Sequence, residues 1–280
     1  MYQPPPPPPG PDRQATLRKY SWLVVVLVLL VFIIFAVVLL RYMRKRAGAP
    51  ATGPTATTSV PANAPPGTIL PGTPGALPVL NTKQQPVVSP FQGCPPEGDG
   101  GDPALNRLKN RTDESAYFPV AFDAFIQLRW PKAIERKNRG GWSRADAAEV
   151  ARYEGVPVAV EGYLAGAREE GPESPNCHGA DDVFRDFHIW LVRNAGDDRS
   201  GSIVVEMTPP VRARHANWST NVLGQIVRKK QRVRVSGWMM LDPEHPDQVG
   251  KTRGSIWEIH PVMKLEVSQN GNWVDLDNMR

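Results

Sequence analysis

The chain has 280 residues, 41% hydrophobic and 22% charged, with 30 prolines, 24 glycines and two cysteines. Two cysteines exclude a disulfide-stapled miniprotein and a four-thiolate zinc site, and no Ser-His-Asp, Walker or dinucleotide-binding motif is visible. The net charge of +5 is confined: residues 1–100 carry eight Lys/Arg against three Asp/Glu, whereas residues 101–280 carry twenty-five of each and so lack the broad positive field of a non-specific nucleic-acid binder.

Residues 1–21 form a Pro-rich tail whose run Pro4–Pro9 predicts a solvated polyproline II segment. Trp22 to Leu40 is a stretch of 19 apolar residues without charge, Pro or Gly. At about 1.5 Å per residue a helix of this length spans roughly 28 Å, the hydrocarbon thickness of a bilayer. Tyr20, Trp22 and Tyr42 stand at its boundaries, and Arg41, Arg44, Lys45 and Arg46 follow as a basic stop. The run exceeds the apolar core of a cleavable signal peptide. The expectation is a single-pass membrane protein anchored through residues 22–40. Its two flanks are almost equally basic, so orientation rests on the downstream composition. Residues 41–100 are a basic flank and a linker rich in Pro, Ala and Thr, a semi-rigid stalk that favours an extracytoplasmic domain.

Residues 101–155 read as a helical preface packed on the domain. Asp102-Pro103 has the pattern of an N-cap and first helical residue, and Ser143 with Asp146 resembles a capping box. Tyr117 to Trp130 is rich in aromatic residues suited to packing. From Pro157 the hydrophobic period changes to two. Strands are predicted at 158–164, 186–192, 202–208, 232–241 and 255–267, with Pro261 marking an edge or a bulge in the last. A helical stripe over 211–227 separates the third strand from the fourth. Three strands, a helix and two strands are the order of an OB-fold, a five-stranded Greek-key barrel. Glycines in Val160-Glu161-Gly162 and Val235-Ser236-Gly237 suit strands that bend around a small barrel. The fold expected is thus mainly β, an OB-like barrel over 156–268 with a tail at 269–280; another small barrel or sandwich is the alternative.

The segments VEGYLAGA, CHGADD, DFHIWLV, IVVEMTP, GWMMLDPEH and WEIHPV together resemble a group of bacterial OB-like domains found behind membrane anchors. The resemblance spans about residues 100–268, with the closing WEIHPV its most specific element. It implies the fold and no activity.

All five histidines fall in this region. Residues two apart on a strand share a face, which pairs Asp186 with His188 and Glu258 with His260. With His245 these are the candidate ligands for a divalent metal such as Zn²⁺ or Mn²⁺, whose bound water would make the protein a membrane-anchored hydrolase. Asp186, Glu206 and Glu258 with Arg212 or Arg214 would resemble a nuclease centre by fold analogy alone. The plainer reading is a polar seam in which carboxylates orient the histidines and no cofactor is required. Between Met207 and Leu241 there is no acidic residue, while Arg212, Arg214, Arg228, Lys229, Lys230, Arg232 and Arg234 form a candidate anion-binding patch. Solvated cations at a helix C-terminus explain the same run. The sequence favours a membrane-tethered binding module whose partner is a protein or an anionic polymer, with nucleic acid disfavoured. The other classes are the metal-dependent hydrolase and an envelope scaffold. Whether Cys94 and Cys177 pair is open.

Overall fold

The computed structural model describes residue 3 and residues 26–35, 60–61 and 63–279. The chain divides into two units, Met1–Pro54 and Thr55–Arg280. In the first, residues 26–35 form a helix, α1, whose apolar side chains from Leu27 to Phe35 are exposed, from 47% at Val28 to 67% at Phe32. Among the described residues no helix is long and apolar enough to cross a membrane. The flanks of the apolar run, the polyproline stretch and the basic stop lie outside the described residues.

The second unit is mainly β. Its strands are β1 (Phe118–Val120), β2 (Pro157–Glu169), β3 (Phe187–Val192), β4 (Ile203–Met207), β5 (Arg232–Leu241), β6 (Trp257–Gln269) and β7 (Asn272–Asp275). Five of them close a barrel in the order β2-β3-β4-β6-β5, with β5 returning to β2. All contacts round the ring are antiparallel except β4 beside β6, which is parallel. Two helices, α5 (Pro209–Arg212) and α6 (Thr220–Arg228), connect β4 to β5. A closed five-stranded barrel with this helical connection is consistent with an OB-like barrel.

The helical stripe expected over 211–227 is divided. Ser219 caps α6 by accepting a hydrogen bond from the Val222 amide, and residues 213–219 form a connecting loop. There Asn217 donates to the carbonyls of Leu276 and Asp277, and Trp218 stacks on His215. These polar contacts give the backbone an alternative to helix.

Curvature comes from two close approaches. A Cβ on Gly162 would stand 2.5 Å from the Val192 carbonyl oxygen, and one on Gly237 would stand 2.3 Å from that of Pro261. Opposite Gly237 the register slips, so that His260 and Pro261 together face Trp238; Pro261 therefore sits in a bulge. The barrel also extends beyond residue 268. β6 continues to Gln269, turns at Asn270-Gly271 with both residues at positive φ, and pairs with β7. Asn-Gly is the favoured pair for a two-residue hairpin turn.

The preface seals one side. α2 (Pro103–Lys109) begins at Asp102, whose carboxylate accepts from the Ala104 and Leu105 amides. β1 adds in parallel to the first half of β2, followed by α3 (Phe122–Ile126), and α4 (Arg144–Val150) is capped by Ser143. Tyr117, Phe125 and Ile134 are fully buried with barrel residues Val158, Val235, Trp238 and Trp257. Each of the two tryptophans donates its indole N–H to a preface carbonyl, Trp238 to Asp113 and Trp257 to Arg129. Buried indoles need such partners.

Composition places residues up to 100 in a stalk, yet part of that stretch is a strap on the barrel. Leu77 and Leu80 join the core, Ile69 bridges Tyr117 and Gly75 bridges Val120. Cys94 and Cys177 form a disulfide that ties the strap to the β2–β3 loop. The same loop is pinned by Asn110, whose side chain donates to the Pro175 carbonyl, and by the Asp99 amide, which donates to Ser174. Proline-rich composition misleads here because a strap with few regular hydrogen bonds needs only scattered leucines to dock.

Candidate functional site

The β2–β3 loop (170–186) and the β5–β6 loop (242–256) lean over the same end of the barrel. Between them opens a polar cleft of about 620 Å³. In OB-folds this is where the first-to-second and fourth-to-fifth strand loops receive ligands, and the volume falls in the range of small-molecule sites.

A chain of alternating charge crosses its floor. It starts at Asp242, which accepts from His245 Nδ1 at 2.7 Å and from Arg253 at 2.9 Å. Arg253 also donates to Glu258 Oε1 at 2.6 Å, and Glu258 Oε2 lies 3.5 Å from His260 Nδ1. The same nitrogen is 3.4 Å from Glu206 Oε2, whose other oxygen is 3.2 Å from His188 Nδ1. His188 stands equally close to Glu170, which accepts from Arg168 at 2.7 Å. The register explains the centre: His188 on β3 faces Glu206 on β4, and the parallel neighbour β6 brings Glu258 and His260 alongside.

Burial makes these interactions strong in both directions. For His188, burial alone would lower the imidazole pKa, but hydrogen bonds to Glu170 and Glu206 outweigh it and push it up to about 9. Glu206 is held well below the usual carboxylate range, because His260 and His188 overcome the opposing effect of burial. Asp242 is lowered against its burial by His245 and Arg253. Asp186 behaves oppositely, pushed up to about 7 by burial, with Glu173 and Glu206 adding repulsion. Lys109 of α2 also lines the cleft; burial would depress its ammonium, yet Glu173, Glu206, Asp242 and Glu258 hold it above its ordinary value.

Of the metal-site candidates, the structure brings Asp186 and His260 together with Glu206, one ligand atom of each within 4.8 Å of the others, and sets Glu258 beside His260. His188 turns Nδ1 toward Glu170 and Glu206. His245 belongs to a separate group with Asp242 and Glu244 at the rim. His215 pairs with Asp277 outside the cleft, and His178 reaches the Asp99 carbonyl.

The seven basic residues of the acid-free run do not line the cleft. Arg232 and Arg234 pair with Glu161 and Glu266, and the Arg212 guanidinium lies 3.6 Å over Phe187 and donates to the Arg185 carbonyl. Arg214 donates to Thr112, while Arg228, Lys229 and Lys230 are exposed at the end of α6. Arg253, Lys109 and Glu170 are among the cleft residues sequence reasoning passes over, as are Arg168, Glu173 and Arg199. Arg253 sits in an aperiodic loop and Lys109 on the preface, so no spacing links either to the strands; Glu170 extends the period-two face of Arg168 and is within reach of the same pattern.

No protein-family model and no curated protein matches the chain.

Proposed function

We propose that the chain is a membrane-tethered binding module whose OB-like barrel takes a short polar ligand, bearing both ammonium and carboxylate groups, in the cleft between the β2–β3 and β5–β6 loops. The observation that carries this reading is the mixed charge of the lining. Lys109, Arg168 and Arg199 offer cations, and Glu173 and Glu244 offer carboxylates. A purely anionic polymer would meet those carboxylates, and like-charge contacts disfavour it. Single-stranded nucleic acid needs free aromatic faces in a basic groove. Here Trp190 is buried, with Arg199 3.7 Å over its ring. A zwitterionic peptide of a few residues is the simplest molecule that fits. Tethering is supported by the 19-residue apolar run and by the exposed apolar surface of α1, which water disfavours. The disulfide supports an oxidising, extracytoplasmic location.

The test uses the full-length chain in detergent and the peptide Ala-Glu-Lys-Ala as probe, with its N-acetylated, C-amidated form as comparator. Calorimetry should detect binding of the free-ended peptide, and Arg199→Ala and Glu244→Gln should each weaken it at least about tenfold. Triple reversal of Arg228, Lys229 and Lys230 to Glu should leave it unchanged. Absence of peptide binding, or its loss on reversing the basic run, would refute the assignment.

A second reading, hydrolysis by metal-activated water, is favoured by one observation: Glu206 and Glu258 line the cleft and also reach the histidine behind it. That reading requires a cation, for which the cluster itself argues.

A further inference from the structure

Behind the cleft floor two buried side chains stand without hydrogen-bond partners. Asp186, 1% exposed, leaves both carboxylate oxygens unmatched, and His260, also 1% exposed, leaves both ring nitrogens unmatched. Buried polar groups are nearly always paired, and an unpaired carboxylate in a dry site is costly. Here the two sit together. They converge on Glu206, and His260 Nδ1 lies 3.4 Å from Glu206 and 3.5 Å from Glu258. Ligands held about 2.1 Å from a common ion stand about 3–4 Å apart; His260 keeps that spacing to both glutamates, and Asp186 offers an oxygen within 4.8 Å of His260 and Glu206.

Charge points the same way. Three carboxylates, Asp186, Glu206 and Glu258, surround one imidazole. Arg253 occupies Glu258 Oε1 and His188 occupies Glu206 Oε1, which leaves Oε2 of both turned toward His260. Asp186 has no basic side chain within ion-pair distance among the described residues. The second carboxylate–histidine group, Asp242, Glu244 and His245, differs: Asp242 is already satisfied by His245, Arg253 and the Glu244 amide. It needs no ion.

We propose that Asp186, Glu206 and His260, with Glu258 beside the imidazole, form a binding site for one divalent first-row transition cation, held by carboxylate oxygens and a single imidazole. Oxygen-rich ligation with one nitrogen suits Mn²⁺, Fe²⁺ or Zn²⁺ and excludes a thiolate-type centre, while the imidazole disfavours Ca²⁺ and Mg²⁺. The site adjoins the cleft and shares Glu206 and Glu258 with it, yet its occupation requires no peptide. This inference therefore goes beyond the binding-module reading, and the two stand or fall separately.

The experiment uses the full-length chain in detergent, stripped with chelator and titrated with Mn²⁺ followed by electron paramagnetic resonance, and with Zn²⁺ and Ca²⁺ by calorimetry. One Mn²⁺ or Zn²⁺ per chain should bind, at least about tenfold more tightly than Ca²⁺. Asp186→Asn and His260→Gln should each weaken Mn²⁺ binding on the order of a hundredfold, with His245→Gln within about twofold of the parent. Since a buried variant can fail to fold, X-ray absorption at the metal edge of the unmodified protein gives an independent readout: one imidazole among oxygen ligands. Failure to bind Mn²⁺ or Zn²⁺ overturns the proposal. So does loss of binding in His245→Gln with Asp186→Asn unaffected, or an edge spectrum without imidazole. Peptide binding that persists in the chelator-stripped protein would leave the cleft reading intact whichever way the metal titration falls.

Discussion

Two charged regions of the barrel are built in opposite ways. The run from Arg212 to Arg234 carries seven cations with no acidic residue in its own sequence, and its members end up scattered: paired with Glu161 and Glu266, laid on Phe187, or exposed at the end of α6. The cleft has no charge run at all. Its groups come from α2, β2, β3, β4, β6 and three connecting loops, and at its floor His188, Glu206, Asp242, Arg253 and Glu258 are buried in mutual contact. Solvated charges cost the fold little and define little, whereas buried ones persist only where each neighbour is placed for them. Charge density along a sequence is thus a poor guide to where a barrel binds; charge taken out of water is a better one.

The sharpest way to break this contrast is Arg253→Met. Arg253 joins Asp242 and Glu258, both buried, and its removal leaves two carboxylates uncompensated. A loss of about 3–5 kcal/mol is expected in urea unfolding. A neutral result would mean that the cleft is as solvated as the basic run. Next comes the disulfide. Cys94 and Cys177 are 83 residues apart, and replacing both with Ala should cost about 2–4 kcal/mol in the same measurement. No such tie holds the basic run.

Acidity distinguishes the regions by a smaller margin. His188 is raised from 6.5 to about 9, so its contribution is complete below pH 6.5 and disappears as pH rises through 9. Its loss over that window amounts to at most about 3 kcal/mol. Melting at pH 6 and pH 9.5 should show it, and His188→Gln should flatten the difference. Glu206 and Asp242, lowered in the fold, act in the other direction and give up their stabilisation only as pH falls below the ordinary carboxylate range. The smallest effect belongs to the exposed cations: Arg228→Glu, Lys229→Glu and Lys230→Glu should each change stability by no more than about 0.5 kcal/mol. A larger loss would show a partner surface where none is drawn.

The barrel is legible in the sequence because its strands are short runs rich in β-branched and aromatic residues set off by turn residues; the span 232–241 matches β5 residue for residue, and Pro261 marks the bulge that the register shows. The hairpin closing with β7 is signalled by Asn270-Gly271, a short-range cue that is easily passed over beside a charged terminus. The strap and the cleft are harder. Leu77 and Leu80 bury themselves without periodicity, and the pairing of His188 with Glu206 follows only from hairpin register. Within the site, spacing two apart places Glu258 beside His260, whereas Asp186, just before β3, groups with Glu206 and His260, and His188 meets Glu170 and Glu206; the sequence cannot say that β4 lies beside β6. That placement decides which histidine meets which carboxylate.

The bond between Cys94 and Cys177 has a kinetic consequence. One wall of the cleft, Pro172 to His178, is stitched to the preceding strap at the disulfide and held again by Asn110 and Asp99. A rim restrained at so many points is preorganised, and an incoming molecule need not freeze a wandering loop as it docks. Capture should then proceed in one step whose rate rises linearly with concentration, without a slow closing phase, and differences among ligands should be expressed in how long each one stays.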